Sequence, residues 1–228
     1  MDLEPSVLSG DASLARSVLV YLSSSECAEH RVRGDRPALG IVSGPASWAE
    51  LQTLGQLIEH VDCVFVGGDL AAVLDPDRPV GSCAFDVDPE LRRRAQQLRA
   101  RMAWLGREMM FPVDLIVAAR LEAGAAHHVV SVEACPPRAI VTDCGPASIN
   151  QLFSRIRAAK AVVWTGLLGA FDLPPFCAGT AATARLVARL TCEGRLTSGA
   201  YGKSTAQAIH SLKLERDFTN VSSSTYRW

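Results

Sequence analysis

The sequence predicts a doubly wound α/β fold, with helices on both faces of a mainly parallel sheet of about six strands. Three observations carry that expectation. Apolar β-type runs alternate with helical patterns from Pro37 onward. The runs are continuously apolar rather than alternating, which implies burial on both faces. Helical patterns lie between successive runs, the arrangement of right-handed crossovers joining parallel neighbours.

Leu39-Gly40-Ile41-Val42 reads as the first buried strand, and Ser43-Gly44-Pro45 as the turn after it. Ser47 is placed to cap a helix with Trp48, Leu51, Leu54 and Ile58 on one face and Glu50 near its positive end. Residues 61–66 form a second strand, closed by Gly67-Gly68. Pro89 starts a helix striped by Leu91, Ala95, Leu98, Met102 and Leu105, with Arg92, Arg93, Arg94, Arg99 and Arg101 on its other face. Leu115-Ile116-Val117-Ala118, Ala139-Ile140-Val141 and Ala161-Val162-Val163-Trp164 read as strands, and residues 147–157 and 179–190 as helices. No repeat or linker divides residues 37–222, so 37–228 is expected to be one Rossmann-like three-layer domain. Residues 1–36 are read as a separate segment, a helix over 13–22 and then a polar loop.

With 48% hydrophobic residues in 228, the chain can build a substantial core. The net charge of −1 favours neither nucleic acid nor an anionic membrane globally. The arginine face offers a local basic surface for RNA or an acidic partner, or simply a solvated face. The seven cysteines (27, 63, 83, 135, 144, 177, 192) form no C-x-x-C and have no histidine at zinc spacing. They read as small buried thiols of a reducing intracellular compartment, and no metal site is expected. His127-His128 reads as a surface-loop pair. The acidic start, Met1-Asp2-Leu3-Glu4-Pro5, has neither secretory nor transit character, and no apolar run reaches the length of a membrane span.

Thr197-Ser198-Gly199-Ala200-Tyr201-Gly202-Lys203-Ser204-Thr205 imitates a phosphate-binding P-loop. That pattern needs a glycine five residues before the Gly of Gly-Lys-Ser, and position 197 holds Thr197. Gly199 comes two residues too late.

Six blocks in order resemble the phosphoglycerate kinase family. Ile41-Val42-Ser43-Gly44-Pro45-Ala46 is similar to its Gly-Gly-Ala-Lys strand-turn, and Val61-Asp62 through Gly67-Gly68 to its V-D-x-x-x-x-G-G-G-M. Phe111-Pro112-Val113-Asp114-Leu115-Ile116-Val117-Ala118 resembles L-P-V-D-V-V-V-A, and Asp143-Cys144-Gly145-Pro146 resembles D-I-G-P. Trp164-Thr165-Gly166-Leu167-Leu168-Gly169-Ala170-Phe171-Asp172 resembles W-N-G-P-M-G-V-F-E, and Pro175-Phe176 with Gly179-Thr180 continues it. The resemblance runs over residues 13–225 and matches only the family's C-terminal, nucleotide-binding half. No counterpart is seen of the half that supplies the 3-phosphoglycerate pocket.

The resemblance implies a vestigial nucleotide site at Gly44, Gly67, Gly68, Gly166, Asp172, Gly199, Gly202 and Lys203. The family's two phosphate lysines fall on Ala46 and Glu50, its asparagine on Thr165, and a loop glycine on Tyr201. Its third adenine-side glycine is Asp69, and the ribose glutamate is Asp172. Its magnesium-binding aspartate falls on Gly202 or Lys203, neither of which offers a hard oxygen side chain. Losing two charge-assisted phosphate contacts forfeits about 3–6 kcal/mol, or roughly two to four decades of affinity.

The function expected from these changes is that of a non-catalytic pseudoenzyme, a structural or adaptor subunit held by protein partners in a larger assembly. Phe218, Tyr226 and Trp228 are candidate anchors, on a partner or on their own domain. No cofactor is expected. A weak ADP or ATP sensor without turnover, an RNA-contacting subunit of a ribonucleoprotein, and a kinase completed by an N-terminal half on another chain stay open.

Overall fold

A computed structural model describes residues 35–75, 88–136 and 139–224. The helix expected at 13–22, Cys27, Cys83, Tyr226 and Trp228 lie outside the described residues.

The main sheet has six strands, all parallel, in the order β3-β2-β1-β7-β8-β9. They are β1 (Ala38–Gly44), β2 (Cys63–Gly67), β3 (Glu108–Met110), β7 (Ala161–Thr165), β8 (Thr197–Tyr201) and β9 (Asn220–Ser222). Between them, and in a second sheet, lie β4 (Asp114–Ala118), β5 (His127–Ser131) and β6 (Ile140–Cys144). Six α-helices occur among the described residues: α1 (Trp48–Leu57), α2 (Gly68–Leu74), α3 (Pro89–Trp104), α4 (Pro146–Ala158), α5 (Ala178–Cys192) and α6 (Lys203–Ser211).

The period-2 alternation of a strand sends successive side chains to opposite faces. Ala38 and Val42 of β1, Val64 and Val66 of β2, and Ala161 and Val163 of β7 join one core, beneath α1, α2 and α3. Leu39 and Ile41, Phe65, and Val162 and Trp164 join the other, with α4, α5 and Ile209 of α6. Both faces are covered, so the strand sequences are apolar without a gap. The layered α/β architecture expected from the sequence is the one observed.

The helices form where their periodicity and caps put them. In α1 the Glu50 N–H donates to the Ser47 Oγ at 3.3 Å, and Leu51, Leu54 and Leu57 are buried. Trp48, expected on that face, is instead 52% exposed, because a residue in the first turn extends past the edge of the core. In α3 the residues Leu91, Ala95, Leu98 and Met102 of the expected stripe are buried, whereas Leu105 is the half-buried C-cap.

Two strands depart from expectation. β4 and β6 read as members of the parallel sheet; they pair antiparallel with each other, and β4 pairs antiparallel with β5, in a separate three-stranded sheet ordered β5-β4-β6. Leu115 and Val117 pack there with Val132 and Cys135 in a small third core. A buried strand is equally apolar in either pairing sense. His127 and His128 belong to edge strand β5, not to a loop, and the His127 ring meets Phe176 edge-on at 5.5 Å. Phe218, considered as an anchor for a partner, packs in its own domain's core.

Among the five described cysteines Cys135 and Cys144 are buried, Cys63 and Cys177 are half-buried and Cys192 is exposed, so the expectation of small buried thiols holds for two of the five. Burial pushes the Cys63 thiol up to about 12. No described helix is long and apolar enough to cross a membrane.

Candidate functional site

From β1 the chain moves to β2 and β3 on one side, and it later returns to fill β7, β8 and β9 on the other. The carboxyl ends of β1 and β7 therefore form a topological switch point, where open α/β sheets leave a crevice. Two glycine turns shape it. Gly68, at φ +65°, bridges to Gly44, and a Cβ there would meet the Gly44 carbonyl oxygen at 2.6 Å. Gly166, at φ +87°, lies so tightly over Ser43 that a Cβ would collide with the Ser43 carbonyl. Only glycine fits either position.

The turn after β7 is held from both sides. The Trp164 Nε1–H donates to the Gly166 carbonyl at 2.7 Å. The Gly166 N–H donates to Thr205 Oγ1 at 2.7 Å, tying the turn to the first turn of α6. Between β8 and α6 stands the single residue Gly202, at φ +89°. The Gly-Lys-Ser thus sits where a strand runs almost directly into a helix, with no glycine-rich loop to wrap a phosphate. Lys203 opens the helix and is exposed.

The crevice has a volume of about 190 Å³. Gly44, Gly68 and Asp69 line one side, and segments 141–144 and 167–170 with Leu115 and Leu121 line the others. A larger groove of about 440 Å³ lies between α1 and α3, lined by Trp48, Leu51, Gln52, Gly55, Gln56 and Arg94. It gathers no strand end and no glycine turn, so we assign the chemistry to the smaller crevice.

Asp143, 1% exposed, is built into the crevice wall. Its carboxylate accepts from the Cys144 N–H at 2.8 Å and from the Gly179 N–H, at the start of α5, at 2.9 Å. Burial pushes its pKa up to about 6, against the opposing pull of those two N–H groups. Glu50 approaches from α1: a Cβ on Gly44 would lie 3.4 Å from its Oε1. Burial raises the Glu50 pKa as well.

Of the residues expected at the site, Gly44, Gly68 and Gly166 meet at the switch point. Gly67 packs on the side chain of Ser43, where a Cβ would stand 2.7 Å from Oγ. That hydroxyl is buried without a hydrogen-bond partner. Thr165 is buried at the end of β7, its Oγ1 3.5 Å from a Cβ placed on Gly202. Ala46 packs partly buried against the first core. Asp172 is exposed on the turn that follows the crevice segment. Gly199 lies inside β8, paired with Val163, and is covered by the Tyr201 ring, which would stand 2.5 Å from a Cβ there. Tyr201 is itself only 2% exposed and packs in the core, so its ring does not project where a phosphate loop would be. No group of three or more His, Cys, Asp or Glu among the described residues is placed to hold a metal ion.

The phosphoglycerate kinase family model matches residues 23–225. This chain belongs to the phosphoglycerate kinase family. It is similar to the phosphoglycerate kinase of Jannaschia sp. (strain CCS1), 34% identical over 82% of this chain and 47% of that protein. It is 36% identical to that of Azorhizobium caulinodans over the same shares. The phosphoglycerate kinase structure from Coxiella burnetii superposes with a TM-score of 0.78 at 25% identity, covering 89% of this chain and 52% of that one. The Pyrococcus horikoshii phosphoglycerate kinase, at 17% identity and a TM-score of 0.67, shares the fold. The chain spans about half the length of the curated relatives it matches, 47% of the first.

These relatives overturn the expectation of a non-catalytic structural or adaptor subunit, and with it the assignment as no enzyme. Proteins 34–36% identical over 82% of the chain are named as kinases. The physical reason for the error is one of weighting. Several polar side chains are altered, whereas the backbone turns that build the crevice, Gly44–Gly68 and Gly166–Ser43, are intact. The sensor and ribonucleoprotein alternatives gain no support either. On the arginine face Arg93 is paired with Glu90 and Arg101 with Glu59, which offsets much of its basic character.

Two residues quoted only as parts of motifs prove to organise the site. Asp114 caps α4, and Asp143 joins β6 to α5 across the crevice. Their signal was a carboxylate inside an apolar strand, a residue rarely buried without partners.

Proposed function

We propose that this chain is the nucleotide-side lobe of a phosphoglycerate kinase-type phosphotransferase. The observation that carries the reading is the Gly166 turn, pressed on Ser43 at the switch point and tied to α6 through Thr205. It sets a base-sized crevice on one side and a helix N-terminus on the other. In this reading the base enters the crevice beside Gly44 and Gly68, and Asp172 takes the ribose. The phosphates run toward Gly202, where the first-turn N–H groups of α6 and Lys203 meet negative charge.

Transfer breaks the bond between phosphorus and the acyl oxygen of a phosphorylated phosphoglycerate and forms one to the terminal oxygen of a nucleoside diphosphate. The lobe's contribution is positioning and charge stabilisation, which supply most of such a reaction's catalysis. A helix N-terminus contributes about 0.3–1 kcal/mol to anion binding. With Ala46 and Glu50 in place of cations, affinity falls toward millimolar. The phosphoryl donor is held by a second lobe, in keeping with relatives about twice as long.

The test is calorimetry with Mg-ADP and Mg-GDP, followed by an assay for nucleoside triphosphate formed from 1,3-bisphosphoglycerate when a lobe that binds this phosphoryl donor is supplied. Saturable binding and turnover are expected. No heat and no melting shift with either nucleotide would refute the reading.

A further inference from the structure

The groove of about 440 Å³ between α1 and α3 combines an apolar floor with one free cation. Leu51, 1% exposed, lies at the floor, and the half-exposed Trp48 indole lies beside it. Gly55 stands in the interior of α1, where glycine weakens a helix. A Cβ there would meet Leu98 Cδ2 at 3.2 Å and Arg94 Nη2 at 3.7 Å. Its absence lets α3 pack closely and leaves the Arg94 guanidinium lying across α1. Arg94 is the one charged residue among those lining the groove. It donates to the Gln97 amide oxygen at 3.4 Å, and among the described residues no carboxylate pairs with it. Arg93 and Arg101, on the same helix, hold Glu90 and Glu59.

A guanidinium is a planar fork of donors that matches a carboxylate with two parallel hydrogen bonds. Beside it, Trp48 and Leu51 offer an apolar seat of the kind that anchors a large side chain. Gln52 and Gln56, both exposed and one turn apart on α1, present amide donors and acceptors suited to the main chain of an extended segment. A nucleic-acid strand does not fit. It needs a row of cations, and on α3 Arg93 and Arg101 are paired while Arg99 donates to the Leu74 carbonyl. We infer that the α1–α3 groove docks an acidic peptide segment of a partner protein, its carboxylate on Arg94 and a neighbouring large apolar side chain between Trp48 and Leu51. The inference does not rest on the nucleotide-site reading above.

The experiment is selection of a phage-displayed random peptide library on the immobilised full chain, followed by fluorescence anisotropy of the selected peptides, synthesised with a fluorescein label. Selected peptides are expected to pair an aspartate or glutamate with a leucine, isoleucine or aromatic residue. R94E should weaken their binding at least about thirtyfold, R94K less, because an ammonium keeps the charge and loses the fork. W48A should weaken it about tenfold. A peptide with lysine in place of its acidic residue should bind R94E more tightly than it binds the native protein. Arg94 and Trp48 are exposed, and thermal melts verify that each variant is folded. No selected peptide, selected peptides without an acidic residue, or an affinity unmoved in R94E would overturn the inference. Self-association of the free chain that R94E abolishes, read by sedimentation, would overturn it as well, since the occupant would then be a second copy.

Discussion

Ser148 and Asp114 hold each other across the N-terminus of α4. The Ser148 N–H donates to Asp114 Oδ1 at 2.7 Å, the Ser148 Oγ donates to the same oxygen at 2.6 Å, and the Asp114 N–H donates back to that Oγ at 3.0 Å. A strand of the second sheet is thereby joined to a helix of the main body, one turn away from the Asp143–Cys144 wall of the crevice.

D114A is expected to be strongly destabilising. It leaves the Ala147 and Ser148 N–H groups without their carboxylate acceptor at a helix start. A lost cap costs about 1 kcal/mol and a buried unsatisfied donor about 1–3 kcal/mol. Urea denaturation should show a total loss of about 2–4 kcal/mol, with D114N keeping part of it through its remaining oxygen. A loss below half a kcal/mol in D114A would show that the pair is not structural.

E50K is expected to tighten nucleotide binding. Glu50 stands against Gly44 at the strand-end turn, with its pKa raised by burial. Replacing the carboxylate by an ammonium removes a repulsion and adds a charge-assisted contact, together about ten- to hundredfold in Kd. The neutral E50Q should fall between. Stability should drop slightly in E50K, because a cation at a helix N-terminus opposes the dipole. An unchanged Kd for Mg-GDP and Mg-ADP would show that a side chain at position 50 does not reach the phosphates.

Asp143 should make stability depend on pH in an unusual direction for a carboxylate. Its folded pKa is about 6 against an ordinary 3.8. The folded state holds the proton more tightly than the unfolded chain does. The contribution is therefore fully present below pH 3.8 and is lost as pH rises through 6. Between pH 7 and pH 4 the native protein should gain up to about 3 kcal/mol relative to D143N. Denaturation midpoints of both proteins at several pH values measure this. Parallel pH profiles would mean that Asp143 stays ionised in the fold.

Much of the architecture was legible in the chain itself. Leu39-Gly40-Ile41-Val42 and Ala161-Val162-Val163-Trp164 are apolar at every step because helices cover both faces. Ser47 and Pro89 mark helix starts because each suits the geometry of a first turn. The motif order led to the family. The weight of its altered residues was misjudged, because a list of changed side chains does not reveal whether the backbone turns that shape a crevice survive.

Tertiary structure alone decided the rest. β8 was not expected as a strand because Thr197-Ser198-Gly199-Ala200-Tyr201 has little apolar character; it is held by β7 and β9 on either side and by Tyr201 folding over Gly199. The pairing of β4 with β5 and β6 is equally unreadable, since burial writes the same residues into parallel and antiparallel strands. The crevice draws Gly44, Asp69, Leu115, Asp143 and Leu168 together from five stretches of chain. Local propensity and hydrophobic period act over a few residues and so can be read in order, whereas the proximity of distant segments exists only once the layers have packed.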